Sequence, residues 1–263
     1  MLIDTHCHLD APEYDADRDE VARRAREAGV GRIVVPAVAA FNFQATMDCR
    51  RYEGVDVALG MHPMYLHVHR DEHLALLDEA IRKEHPAAVG EIGLDRFQSR
   101  IDRPGVHDED IERQEFFFVE QLRLAAKYEL PVLLHIRRAN DQILKQLRRI
   151  KVPGGIAHAF NGSMQQAQEY LKLGFKLGFG GAMTYTRATS LRRLATELPL
   201  ESIVLETDGP DIPPEWIAKQ RNEPAELPRI AQVLADLRGI SVEEVAACTT
   251  ENAEKVLKFT ASA

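Results

Sequence analysis

At 263 residues, 45% hydrophobic, 6% aromatic and 28% charged, the sequence is that of an ordinary globular protein, long enough for a sizeable core and free of low-complexity tracts. No apolar run approaches the roughly 18 residues of a membrane span; strand-like sequence begins at residue 2, and Cys7, Cys49 and Cys248 lack paired spacing, so a cytoplasmic protein with reduced thiols, no signal peptide and no evident obligate protein partner is expected. The formal net charge of −8 excludes an extended basic surface that holds nucleic acid by phosphate neutralisation alone, and confines any phosphate binding to a local pocket.

The first apolar run, LIDTH at 2–6, leads into His8. In an extended chain residues i and i+2 share a face, so His6 and His8 point to one place while Cys7 points away. Two imidazoles so arranged are either a hydrogen-bonded pair at a strand end or the start of a metal site. An amphipathic helix follows, with Val21, Ala25 and Ala28 on one stripe, Asp17 and Asp19 near its start and Gly29 at its end. Further strands are read in RIVVPA (32–37), VDVALG (55–60), AAVGEIG (87–93), PVLLHI (131–136), GGIAHA (154–159), FKLGFG (175–180) and SIVLET (202–207). Ile111, Phe118, Leu122 and Ala125 mark a helix between the fourth and fifth, and SVEE at 241–244 offers a capping box, Ser241 with Glu244, for a last helix. Eight strands alternating with helices predict an α/β protein, a (β/α)8 TIM barrel spanning 1–263 as a single domain. The longest stretches without periodicity, about 94–109 and 209–223, directly follow strands and belong on the functional face.

In such a barrel the carboxyl ends of the strands, with the loops after them, build the active site. His6 and His8 end the first strand, His62 follows the third, Glu91 lies late in the fourth, His135 and His158 end the fifth and sixth, and Asp208 follows the eighth. Singly, each has an ordinary role as a backbone-bonded histidine, a buried ion pair or a turn cap. Together His6, His8, Glu91, His135, His158 and Asp208 form a nitrogen- and oxygen-rich set suited to zinc, manganese, magnesium or a related divalent ion. Six ligands suit two ions better than one. Glu91 is then the natural bridge, with His6, His8 and Asp208 serving one ion and His135 and His158 the other. Water between two such ions can attack an ester or phosphodiester, and Asp208 can take its proton.

DTHCHLD, LGMHP, GEIGLD, LPVLLHIR, HAFNGS, LETDGPD and RNEPAELPRIAQVLADLRG stand in the order and spacing of the TatD-related metal-dependent hydrolases. The sequence resembles that family over essentially 1–258, and especially its YjjV-like branch. The resemblance implies a distorted TIM barrel of the amidohydrolase type and places two divalent ions on His6, His8, Glu91, His135, His158 and Asp208. It also implies deoxyribonuclease activity of the kind established for some relatives, with nucleic acid, a DNA end or single strand, as substrate. The sequence departs from the family at Asn161, where serine is common, and at Gly209, where alanine is common; the glycine adds backbone freedom beside Asp208.

Two residues are candidate substrate contacts. His62, before Pro63, can bind phosphate, support a ligand or shape the turn; Arg137, on the strand face of His135, can grip a phosphate oxygen bidentately or pair with an acid. Glu206 shares strand parity with Asp208 and can orient a ligand, Asn222 is expected to hold the turn before Pro224, and His67, His69, His73, His85 and His107 are read as solvated. Two other functions compete: a carboxylic-ester or amide hydrolase, such as a deacylase of aminoacyl-tRNA, and a metal-bearing scaffold that binds without turnover. Glu91 and Asp208 weigh against the scaffold, which needs neither a bridge nor a proton acceptor.

Overall fold

The computed structural model describes residues 1–97 and 108–259. Its eight strands pair in parallel and in chain order: β1 (Leu2–Asp4), β2 (Val30–Pro36), β3 (Val55–Leu59), β4 (Ala88–Asp95), β5 (Val132–Arg137), β6 (Gly155–Ala157), β7 (Phe175–Phe179) and β8 (Ile203–Leu205). Crossover helices are α1 (Arg18–Glu27), α2 (Phe43–Asp48), α3 (Glu72–Glu84), α4 (Asp108–Lys127), α5 (Asn140–Arg149), α6 (Met164–Lys172) and α7 (Thr189–Glu197); α8 (Leu227–Arg238) and α9 (Val242–Val256) follow β8. Every expected strand is present, and the architecture is the expected TIM barrel. Among the described residues no helix is long and apolar enough to cross a membrane. Of the stretch 94–109, β4 takes the first two residues and 98–107 lie outside the described residues.

The barrel is nearly closed, and its distortion sits at the seam between β8 and β1. No regular ladder joins these strands; instead Thr5 N donates to Leu205 O (3.1 Å), Asp208 N to His6 O (2.8 Å) and His8 N to Gly209 O (2.8 Å). Pairing therefore continues just past both strand ends, where ligand candidates from the two ends of the chain meet.

Strand alternation decides what faces the barrel axis. Ile3, Val34, Ala58, Ala88, Leu133, Ile156 and Val204, one from every strand but β7, pack into a single cluster with Ala253 and Leu257 at the end of α9. Two residues further on, the same parity carries His135 and His158; four further on, it carries His62 and Asp208. An apolar plug thus fills one end of the interior and turns the polar set out at the other. Outside the sheet, Val21 and Ala25 of α1, Phe118 and Leu122 of α4, and Ile143 and Leu147 of α5 bury their stripes in the main core. Ala28 is exposed as the α1 cap. Ser241 caps α9 through Glu244 N (3.1 Å), whereas a reciprocal box forms at α6 between Ser163 and Gln166, which periodicity had not singled out.

The loop after β8 is tightly held. Buried Asn222 donates to Thr207 O, Asp211 O and Ile212 O at 2.8, 3.0 and 3.2 Å, and its own carbonyl accepts from the Tyr14 hydroxyl. A Cβ at Gly209 would lie 2.5 Å from Tyr14 Oη, so the glycine expected to loosen this segment instead permits its close packing. Asn222→Ala leaves the buried Thr207 carbonyl and the part-buried carbonyls of Asp211 and Ile212 without this donor and should lower stability by about 1–3 kcal/mol. In urea titration the midpoint should fall with the slope unchanged; an unmoved midpoint would show that Asn222 does not hold the loop.

Candidate active site

Over the carboxyl ends of the strands opens a cleft of about 1380 Å³, with Glu91 at its floor. Glu91 is only 1% exposed and is ringed by imidazoles. Its Oε2 lies 3.0 Å from His6 Nε2 and 3.4 Å from His8 Nε2; its Oε1 lies 3.1 Å from His62 Nε2 and 2.9 Å from His135 Nδ1. β1 ends at Asp4, short of the expected strand, yet the His-x-His geometry survives: both rings converge on Glu91 while fully buried Cys7 turns its thiol to Gly209 O. His158 joins from the far side, its ring stacked on His6 at 3.6 Å and its Nε2 3.4 Å from Asp208 Oδ1. Asp208 itself is in the left-handed region (φ 59°), a conformation aspartate tolerates better than most residues.

Among the described residues, three sets each bring their potential ligand atoms within 4.8 Å of one another: His6, His8 and Asp208; His6, Glu91 and His158; and His62, Glu91 and His135. The first is the triad expected from sequence. The others depart from the expected division, because His158 sits with His6 and Asp208 and His62 stands beside His135.

The second ring nitrogens show which imidazoles fit a metal. His8 Nδ1 is 3.2 Å from Pro36 O and His135 Nε2 is 3.2 Å from Asp95 Oδ2, so each donates a proton outward and leaves its inner nitrogen as the one a cation would take. His158 Nδ1 lies 3.1 Å from Glu206 Oε1, though off the line of a good hydrogen bond, and Glu206 is in turn fixed by Ala159 N at 2.6 Å. His6 Nδ1 is buried without a partner. His62 is different. Its Nδ1 accepts from Met64 N (3.0 Å), which places the proton on Nε2 and aims an N–H, not a lone pair, at Glu91. The donor set of His6, His8, His135 and His158 with Glu91 and Asp208 therefore fits divalent cations, while His62 is a hydrogen-bond donor among them.

Charge follows the same pattern. Burial pushes Glu91 up, but His62, His6 and His135 outweigh it and hold the carboxyl well below its usual range. Burial also opposes ionisation of Asp208, and His158, His6 and His8 overcome it. His8 is lowered by burial but raised further by Glu91 and Asp208, to about 9, and His158 is raised well above its ordinary value by Glu206 and Asp208. Burial and the neighbouring His158 depress His6, and burial takes His62 down to about 4.

Arg137 is not in the ring around Glu91. It lines the cleft wall, 45% exposed, with Nη1 3.9 Å from Asp95 Oδ2 and its guanidinium 3.9 Å from the centre of the Phe97 ring. Sequence reasoning passed over Asp95, the fully buried partner of His135; its signal was position, the last residue of GEIGLD on a strand ending at the site. It also misplaced His69, which is not solvated: the ring is buried beside Phe117, donates to His62 O at 2.8 Å and is pushed by burial down to about 4. His67 and His85 are exposed as expected, and His107 lies outside the described residues.

The sequence profile of the TatD related DNase family matches residues 3–258. The chain belongs to the TatD DNase family. TatD relatives include the uncharacterized metal-dependent hydrolase YjjV of Escherichia coli, 42% identical over 95% of both chains, and the deoxyribonuclease TATDN3 of Homo sapiens, 36% identical over 97% of this chain and 94% of that one. The 3'-5' ssDNA/RNA exonuclease TatD of Cronobacter sakazakii is 35% identical over 99% of both. The crystal structure of E. coli YjjV superposes with a TM-score of 0.91 at 40% identity, covering 98% of both chains. A lactonase template engineered for organophosphate hydrolysis, at 15% identity and a TM-score of 0.65, shares the barrel fold. The TatD chain described here is thus a metal-dependent hydrolase.

A cation bound among these residues would have to displace the protons of His8, His135 and His158, which burial opposes but the neighbouring carboxylates hold more strongly. Because a raised value means a proton more tightly held, affinity for manganese or zinc should increase with pH until His8 loses its proton near pH 9. Calorimetry in buffers of different ionisation enthalpy should detect net proton release at pH 7; a buffer-independent heat would show that the imidazoles are already free.

Proposed function

We propose that the chain is a metal-dependent phosphodiesterase that cleaves nucleic acid at a single-stranded end, using two divalent cations. The observation that carries this reading is the convergence of four imidazoles and Asp208 on buried Glu91 beneath a cleft whose opposite wall bears Arg137. His6, His8 and Asp208 would hold one cation and His135 with Glu91 the other, His158 being within reach of Glu91 and Asp208 alike. When bound, such cations supply Lewis acidity, polarising the ester and making water in the cleft more acidic.

The remaining work falls to the chain's own groups. Asp208, kept ionised by the imidazoles around it, is the proton acceptor. Its backbone N–H, donated to His6 O, fixes the carboxylate against the β8–β1 seam. His62 donates its Nε2–H to Glu91 Oε1 and so would hold that carboxylate in place, turning to a phosphate oxygen only where a cation takes over Glu91. Arg137, spread over Phe97, offers two N–H groups to the same phosphate with part of its side-chain freedom already given up. Native-like positioning of these donors before substrate arrives favours a phosphodiester over a neutral ester, because a carboxylic ester has no anionic oxygens for Arg137.

Glu91→Ala should reduce bound metal below the wild-type count, up to two ions per chain, and abolish most activity; unchanged stoichiometry by metal analysis would remove the bridge. Asp208→Asn keeps an oxygen toward the metal but cannot accept a proton, so kcat should drop by roughly two to four orders of magnitude with most metal retained. A variant that arrives empty and regains its rate with excess manganese would instead make Asp208 chiefly a ligand. Arg137→Ala should raise KM more than it lowers kcat, and wild-type activity should fall with salt, on a panel of single-stranded DNA, duplex DNA, RNA and a simple phosphodiester. Wild-type preference for a neutral carboxylic ester, assayed beside that panel, would favour the ester or amide hydrolase.

A further inference from the structure

One lip of the cleft carries an apolar surface that the folding of the barrel does not account for. Phe41 is 68% exposed, at the centre of the short 3-10 turn Ala40–Asn42 after β2. The turn is well anchored. Asn42 Oδ1 accepts from Val38 N and Ala39 N, both at 3.1 Å, and Asn42 Nδ2 donates to Asp10 Oδ2 (2.9 Å), which also accepts from Thr46 Oγ1 (2.5 Å). A large ring is thus held out into water by a turn tied down through the Asn42 side chain, at a cost the core does not repay.

Phe41 is the outer end of an aromatic series. Its ring is 6.1 Å from that of Tyr65, tilted by 54°, and Tyr65 is 6.1 Å from His62 and nearly perpendicular to it. His62 in turn touches Glu91 at 3.1 Å. The series therefore runs from the candidate metal centre to the rim, and both Phe41 and Tyr65 line the cleft. The guanidinium groups of Arg137 and Arg138, 3.9 and 4.5 Å over Phe97, stand on the other wall. β2 and β3 are separated from β5 by β4 in the ring, so a strand that places its phosphate on Arg137 at the centre has Phe41 and Tyr65 to one side. Flat aromatic faces beside a cationic phosphate contact are the arrangement that receives unpaired bases, which offer a π-face whatever their identity.

We infer that Phe41 and Tyr65 form a stacking subsite for the unpaired nucleobase next to the scissile phosphate. The inference rests on the nucleic-acid reading above and gives it a selectivity: bases paired within a duplex cannot reach the two rings, whereas a frayed or single-stranded terminus can. Selection is by the presence of a base, not by its sequence.

The test uses two short fluorescent oligothymidylates, one intact and one with a base-free tetrahydrofuran residue at the terminal position. Cleavage is followed in the manganese-loaded enzyme, and binding is measured in parallel by anisotropy. Wild type should favour the intact strand by about five- to a hundredfold in kcat/KM and in Kd, the scale of one stacked base. Phe41→Ala and Tyr65→Leu should each lower kcat/KM on the intact strand and leave the base-free strand unchanged, so that the preference shrinks toward one. Cleavage of both strands at equal rates by wild type, or equal losses on both in the variants, overturns the subsite and leaves the phosphodiesterase reading standing. Base-dependent binding without cleavage would sustain the subsite and sink the nuclease; absence of both binding and cleavage would sink the two together.

Discussion

A carboxylate removed from water must be met by positive charge or hydrogen-bond donors, and the upper half of this barrel is organised around meeting that demand for Glu91. Imidazoles from β5 and from the segments after β1 and β3 converge on its two oxygens, while Asp208 brings a second carboxylate to their other side. Neither acid is stable in ionised form without those rings, and the rings hold their positions through groups behind them: Pro36 O for His8, Asp95 for His135, Glu206 near His158. Gly178 in β7 belongs to the same economy of space, since a Cβ there would lie 2.2 Å from Glu206 Oε2. The one strand without a residue in the interior plug is thus the strand that yields room for a supporting carboxylate.

Most of the barrel was legible because parallel strands buried on both faces read as short apolar runs and because the polar residues sit at their carboxyl ends. The six ligand candidates were legible for the same reason. What sequence could not show is where a second ring nitrogen points. His62 looked like His135 or His158 in pattern, and only the donation from Met64 N, set by the 3-10 turn Pro63–Val68, distinguishes its tautomer. His69 was misjudged because its burial depends on Phe117 of α4, far away in sequence. Gly209 was read as added freedom, and the Tyr14 hydroxyl that makes it a close-packing residue comes from nearly two hundred residues earlier in the chain.

The cleft is electrically divided. Asp10, Glu13, Asp15 and Asp211 line the side formed by the segments after β1 and β8, and Arg137 and Arg138 the side after β5, across the ring. A protein with a net charge of −8 can therefore gather carboxylates on one wall and present fixed guanidinium groups on the other without a basic surface. On the phosphodiesterase reading, substrate phosphate would be steered by the local field of the cleft rather than by the net charge of the surface.

The β8–β1 seam has a consequence for how the protein comes into being. His6 and His8 emerge first from the ribosome, Asp208 some two hundred residues later, and Asp4 waits equally long for the Thr207 hydroxyl that donates to it at 2.6 Å. Contacts of such sequence separation are among the last a chain can make. The proposed cation site can therefore be complete only late in folding, and a chain truncated before Asp208 would carry the early histidines without that acid. On the proposed reading, hydrolysis would have to wait until the two segments of the β8–β1 seam have met.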